Sequence, residues 1–253
     1  MLFGPYLILF ILGLIPTLFL GSMVSDPMPA LVLMIISGIA SVLISFFIQV
    51  ALLYAVVDRE HISAGEIYKI ALARMFSYSW VVFFVGLVTF GGSFFLIAPG
   101  VIFSIWFSFS VFVFAEEDKR GMNALLKSKE YTKGLWGSIL WRYIAFALVI
   151  IGPLFIFFAI FGIIMAVTSA MMGSTGQIAY QFISSGFQIA IQILMAPFVL
   201  TYFYMLFMNV KELKGNQVAE DPQGKKWPYI IIGVVGTIIG IALMVALPVL
   251  LIF

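Results

Sequence analysis

All 13 Lys and Arg residues fall within 59–74, 119–142 and 211–226, and the stretches between them are apolar enough to sit in lipid. A soluble chain spreads its cations over its surface, whereas cations gathered between long apolar runs mark the connectors of a chain that crosses a membrane repeatedly. Hydrophobic residues make up 64% of the sequence and charged residues 9%, and the mean hydropathy is +1.19, outside the range of soluble domains. A spanning segment must satisfy its own backbone groups. The expected class is therefore all-α: a polytopic transmembrane helical bundle of six or seven spans, with two amphipathic interfacial helices on the cytoplasmic side. Spans of ~20–25 residues use up nearly all 253 residues, so residues 1–253 read as a single integral membrane domain.

Apolar runs of spanning length lie at about 2–22, 30–57, 79–97, 101–115, 139–171, 178–208 and 228–253. The first starts apolar with no basic residue ahead of it and is expected as a retained span rather than a signal peptide. Ser25-Asp26-Pro27-Met28-Pro29 forms the first turn, with Pro29 suited to the start of the next helix. Ala98-Pro99-Gly100 parts the third run from the fourth. A hairpin at Pro99 and Gly100 is expected there, since one helix over 79–115 would be ~55 Å long. These spans put 58–78, 116–138 and 209–227 on one side and 23–29, 98–100 and 172–177 on the other; with Arg142, at the near end of the fifth run, counted to the first side, the Lys/Arg count is 13 to 0. The positive-inside bias then predicts a multi-pass cell-membrane protein with its N-terminus and basic connectors cytoplasmic and its C-terminus extracytoplasmic. Trp80, Trp136, Trp141 and Trp227 adjoin the basic stretches as an aromatic belt would, and only Trp106 lies within a span.

Two connectors have helical periodicity. Over about 63–78, Ile67, Tyr68, Ala71, Leu72, Met75 and Phe76 share one half of a helical wheel, opposite Glu66, Lys69, Arg74 and Ser77. Over about 121–135, Ala124, Leu125, Ser128, Thr132 and Leu135 oppose Asn123, Lys127, Glu130 and Lys133, with Glu116, Glu117 and Asp118 expected as helix-starting acids. Both read as interfacial helices. A shift of 56 residues pairs Gly65 with Gly121 and Trp80 with Trp136, which suggests a parallel internal repeat. The third connector carries Gly215-Asn216 and Asp221-Pro222-Gln223-Gly224, which read as turns.

Catalysis within a membrane calls for ionisable groups inside a span, and none stands at mid-span here. No catalytic residue, cofactor or metal is assigned. Cysteine is absent, the single His61 has no acidic partner at helical spacing, and no serine sits in a nucleophile elbow. Three consecutive acids at 116–118 do not face one point on a helix, so capping is preferred to cation binding. The basic residues suit anionic lipid headgroups rather than nucleic acid, with Arg74, Lys127, Lys133 and Arg142 as possible contacts. Two polar stripes must avoid lipid: Ser37, Ser41, Ser45 and Gln49 in the second span, and Gln181, Ser185, Gln188 and Gln192 in the sixth. They read either as helix packing or as a polar groove between the two spans. Gly233, Gly236 and Gly240 give the last span a small-residue face for another span, a protein partner or a second copy of the chain.

Pro99-Gly100 followed by a Phe- and Ser-rich span, then Gly121-Met122-Asn123-Ala124-Leu125-x-x-Ser128-x-x-Tyr131-Thr132-x-Gly134, resembles a group of bacterial and archaeal integral membrane proteins. These are described as domains of unknown function or as the glycerophosphoryl diester phosphodiesterase membrane domain. The resemblance covers about 75–145 and implies a compact helical membrane module, often an anchor or accessory. The metal-binding acids and histidines of the soluble phosphodiesterase domain have no counterpart, so hydrolysis does not carry over. The expected function is a non-enzymatic membrane scaffold, anchor or lipid-interacting accessory. The alternative is a small-solute or lipid transporter using the polar groove; a headgroup enzyme would need an ionisable cluster at one depth.

Overall fold

Apolar runs without a sheet partner can satisfy their backbones in lipid only as helices. The computed structural model has no strand among the described residues, which are 3–18, 27–58, 63–95, 97–214, 218 and 224–250. The helices are α1 (Phe3–Leu18), α2 (Pro27–Val57), α3 (Ala64–Phe95), α4 (Ile97–Trp106), α5 (Ser110–Glu117), α6 (Met122–Thr132), α7 (Trp136–Phe146), a π-helical stretch (Ala147–Ile151), α8 (Gly152–Lys214) and α9 (Trp227–Leu250). Among the described residues six stretches are long and apolar enough to cross a membrane: Leu31–Val57, Ala64–Phe94, Ala98–Glu117, Trp136–Thr168, Ile183–Lys214 and Trp227–Ala246. The 16-residue α1 is apolar but shorter. The fold class is an all-α membrane bundle. The turn around Asp26, His61 and the turns at 215–216 and 221–223 lie outside the described residues.

The chain divides into two compact units, one made of Met1–Leu72 with Tyr143–Thr201 and the other of Ala73–Arg142 with Tyr202–Phe253. In the first, α1 packs on α2 with Tyr6 and Leu14 buried, and Phe47 of α2 stacks on Tyr68 at the start of α3, ring centroids 5.5 Å apart. The π-helical stretch has a local cause: Pro153 offers no N–H, and the preceding Gly152 N–H bonds five residues back to the Ala147 carbonyl. The backbone stays helical from Gly152 to Lys214. Yet the Phe187 ring lies 4.9 Å from Phe161 and 5.6 Å from Phe157. A straight helix would hold residues 30 apart about 45 Å from each other. The helical backbone therefore folds back on itself between Phe161 and Phe187, and residues 172–177, expected as a loop, are absorbed into it.

In the second unit α3 and α4 form the expected hairpin, with a shifted corner. Pro99 and Gly100 lie within the first turn of α4, where proline's missing N–H leaves no bond unmade. Gly100 is required by approach: a Cβ there would stand 2.9 Å from Ser93 Cα. Along α3 and α9, Leu87 meets Gly233, Gly91 meets Gly236 and Phe94 meets Gly240, so the two helices run in the same direction in close contact. Of the partners expected for this small-residue face, another span, a protein partner or a second copy, the structure shows the first: α3 of the same chain packs on it.

Two further expectations change. The interfacial helix over 63–78 is not a separate element, since α3 runs unbroken from Ala64 to Phe95 with no helix breaker near residue 78. Its start carries the glutamate half of a capping box: Glu66 Oε2 accepts from the Ser63 N–H at 2.9 Å and from the Ser63 hydroxyl at 2.8 Å. The residues that suggest a 56-residue repeat stand at non-equivalent places. Gly65 is helical and Trp80 lies in mid-helix, whereas Gly121 precedes α6 at φ 51° and Trp136 begins α7.

Candidate functional site

The polar centre of the second unit begins at a break in a helix. Between α4 and α5 the residues Phe107, Ser108 and Phe109 form turns, which leaves backbone groups to be satisfied inside an aromatic core. Ser128 of α6, fully buried, does this twice over: its hydroxyl accepts from the Phe109 N–H at 3.1 Å and donates to the Trp106 carbonyl at 2.7 Å. Around it Phe207 of α8, also fully buried, contacts the rings of Phe109, Phe112 and Tyr131 at 5.6–5.8 Å between centroids. Replacing Ser128 with alanine strands both backbone groups and should lower stability by about 2 kcal/mol. A thermal midpoint in detergent unchanged from wild type would count against this role.

Glu116, Glu117 and Asp118 close α5 rather than open α6, which corrects the capping assignment. Acids at a helix C-terminus face the negative end of its dipole, so cations and donors from other elements must offset them. Asp118, in the left-handed region at φ 49°, pairs with Arg74 of α3. Glu117 pairs with Lys127 of α6 at 2.7 Å and with Lys211 of α8 at 3.6 Å, and accepts from the Tyr131 hydroxyl at 2.6 Å. Glu116 takes Lys211 at 3.5 Å and the Tyr204 hydroxyl. Burial, and then the neighbouring Glu117 carboxylate, push the Tyr131 phenol well above its ordinary range, so it remains a donor. The cluster ties α3, α5, α6 and α8 into one polar clamp.

This geometry corrects one lipid contact. The Lys127 side chain is only 7% exposed and serves Glu117, not a headgroup. More generally α6 buries Met122, Ala124, Leu125, Leu126, Lys127, Ser128, Tyr131 and Thr132, so it packs within protein on several sides. Of the other three candidates, Arg74 is half-buried against Asp118, while Lys133 and Arg142 are exposed. Arg142 donates to Asn209 Oδ1 at 3.3 Å, bringing α7 to α8.

The two polar stripes both lie in the first unit. Ser37 donates to the Met34 carbonyl, Ser41 to Ser37 and Ser45 to Ser41, at 2.7–3.1 Å, so these hydroxyls are satisfied by their own helix. Gln49 is exposed, Ser185 half-buried, Gln188 and Gln192 exposed, and the Gln181 side chain lies outside the described residues. Gln188 lines a cleft of about 430 Å³ with Ser184, Phe158, Phe161, Gly162 and Phe187. Those walls all belong to the two limbs of α8.

The motif over 121–134 has a structural explanation. Gly121 and Gly134 hold positive φ of 51° and 81°. Ala124 and Leu125 are wholly buried, Ser128 closes the helix break, and Tyr131 reaches Glu117. No protein-family profile, curated protein or solved structure matches the chain. The resemblance of 75–145 therefore stands on these residues alone.

Proposed function

We propose that the chain is a non-enzymatic integral membrane module that engages lipid through its basic side, with that side and the N-terminus cytoplasmic. The observation that carries the reading is the set of exposed indoles beside the cations. Trp80, Trp136, Trp141 and Trp227 are 58%, 50%, 68% and 72% exposed, an apolar body and polar N–H suited to the headgroup layer. An ionisable cluster does stand at one level, as an enzyme working on headgroups would need. Its acids, however, are committed to cations, and Glu117 is 13% exposed, unlike a general base poised to meet substrate. The resemblance to membrane modules that act as anchors or accessories supports the same reading.

Lipid analysis of the protein purified from native membranes should find lipids enriched over the bulk membrane. No enrichment, or turnover of a headgroup by the purified protein, would overturn the reading. Orientation is testable because the chain has no cysteine. Single variants Arg120→Cys and Ser25→Cys should react oppositely with an impermeant maleimide in intact cells, Ser25→Cys labelled and Arg120→Cys protected. The second reading, a solute route, has the Gln188 cleft in its favour, and solute flux in proteoliposomes abolished by Gln188→Leu would establish it instead.

A further inference from the structure

Beside the clamp, and not used by it, the end of α6 lines a second cleft of about 370 Å³ with Trp106, Leu126, Lys129, Glu130, Lys133 and Gly224. That volume lies within the range of small-ligand sites. Three features give it a definite chemistry. The Lys129 ammonium is fixed: it lies 4.6 Å from the Trp106 ring centroid and 5.0 Å from that of Tyr229, and donates to the Tyr229 hydroxyl. Lys133, one turn further along, is exposed. Between them in sequence, Glu130 has a buried carboxylate oxygen, Oε2, with no hydrogen-bond partner among the described residues. A carboxylate oxygen cut off from water without a donor is costly. Glu130 is nevertheless only half-buried and lines the cleft, so its other oxygen is the one a ligand can reach. Depth follows from Tyr229, which is two residues into α9 from the exposed Trp227. The cleft therefore sits where α9 enters the apolar layer.

Two ammonium groups flanking an acid that lacks a donor are complementary to a ligand carrying both a phosphate and a primary amine. We infer that this cleft binds a phosphoethanolamine-type headgroup, the phosphate on Lys129 and Lys133 and the ammonium on Glu130. A quaternary amine has no N–H to give Glu130, and the aromatic walls that would suit it already hold Lys129. A plain phosphate monoanion would bring no donor to Glu130 and would set a second negative charge beside it. The inference rests on the reading of the chain as a lipid-engaging module and names the lipid class.

The test is native mass spectrometry of the full chain in detergent, titrated with phosphatidylethanolamine, its N-monomethyl and N,N-dimethyl forms, phosphatidylcholine and phosphatidylglycerol of identical acyl chains. Affinity should fall along the methylation series and be about tenfold weaker for phosphatidylcholine than for phosphatidylethanolamine. Glu130→Gln should erase that preference and leave phosphatidylglycerol binding unchanged. Lys133→Gln should weaken both phosphatidylethanolamine and phosphatidylglycerol. If Glu130→Gln does not fold, the methylation series on wild type decides. Soluble glycerophosphoethanolamine separates the sources: competition at equal concentration assigns the site to the free headgroup, no competition to the lipid, and either outcome supports the recognition chemistry. Equal binding of the ethanolamine and choline lipids overturns the inference while leaving lipid engagement intact. No lipid retained in any arm overturns both.

Discussion

Replacing Lys127 with methionine should destabilise the protein by about 3–5 kcal/mol, because it removes the closest cation from a carboxylate that is already screened from water. The Lys127 and Glu117 side chains are 7% and 13% exposed and 2.7 Å apart, and Glu117 also sits at the unfavourable end of α5. Lys211, 3.6 Å from Glu117, cannot take over, since it already shares itself with Glu116 at 3.5 Å. In a detergent-solubilised sample the loss should appear as a fall in thermal midpoint on the order of 10 °C. The companion measurement is a double-mutant cycle with Glu117→Gln. Removing both charges should cost much less than Lys127→Met alone, since no uncompensated ion is left. A cost below about 1 kcal/mol for the single variant would place the pair with exposed ion pairs and remove the clamp from the account.

How far the fold could be read beforehand depended on the range over which each residue finds its partner. Spans were legible because apolarity over ~20 residues is itself the cause of a lipid-crossing helix. The breaks were less so. Pro99-Gly100 correctly signalled a reversal, but a proline is compatible with the first turn of a helix as well as with a loop, and the need for Gly100 comes from Ser93 on the facing helix. No residue at 172–177 compels a break of helical backbone, and the reversal there is evident only from Phe157, Phe158 and Phe161 meeting Phe187. The polar centre was hidden for the same reason. Lys211 and Glu116 are 95 residues apart, and a helical wheel that gives protein only one side of α6 places Lys127 on an exposed face. One signal was available. Glu117 and Lys127 flank Gly121, and a glycine at a tight turn between two helical stretches invites charges on either side to meet. The serine stripe shows the reverse case: each hydroxyl is satisfied by a backbone carbonyl of its own preceding turn, a bond any helical serine can make, so the spacing alone does not choose between packing and a groove.

The contact between α3 and α9 should prove as sensitive as the clamp, through volume rather than charge. A Cβ added at Gly236 would stand 2.7 Å from Gly91 Cα, and one at Gly91 the same distance from Gly233 Cα. Both obstacles are backbone, which cannot rotate aside as a side chain does, so the helices themselves must separate. Separation undoes close packing along the whole seam from Leu87 to Phe94, where dispersion rather than the hydrophobic effect holds helices in lipid. Gly236→Val should therefore cost about 3 kcal/mol or more, the upper part of the range for overpacking. Gly91→Ala should be destabilising in the same way, and the two should be strongly non-additive because they address one contact. Gly86 supplies the control on the same helix: nothing lies within 4 Å of its added Cβ, so Gly86→Ala should be neutral or gain up to ~1 kcal/mol from helix propensity. If Gly86→Ala and Gly91→Ala shift the thermal midpoint alike, the seam is not closely packed, and the small-residue face of α9 returns to being a surface open to another copy of the chain. If they diverge as expected, that face is spent within the protomer. The exposed apolar residues of α9, such as Val234, Ile238 and Ile241, are then what this helix still presents outward.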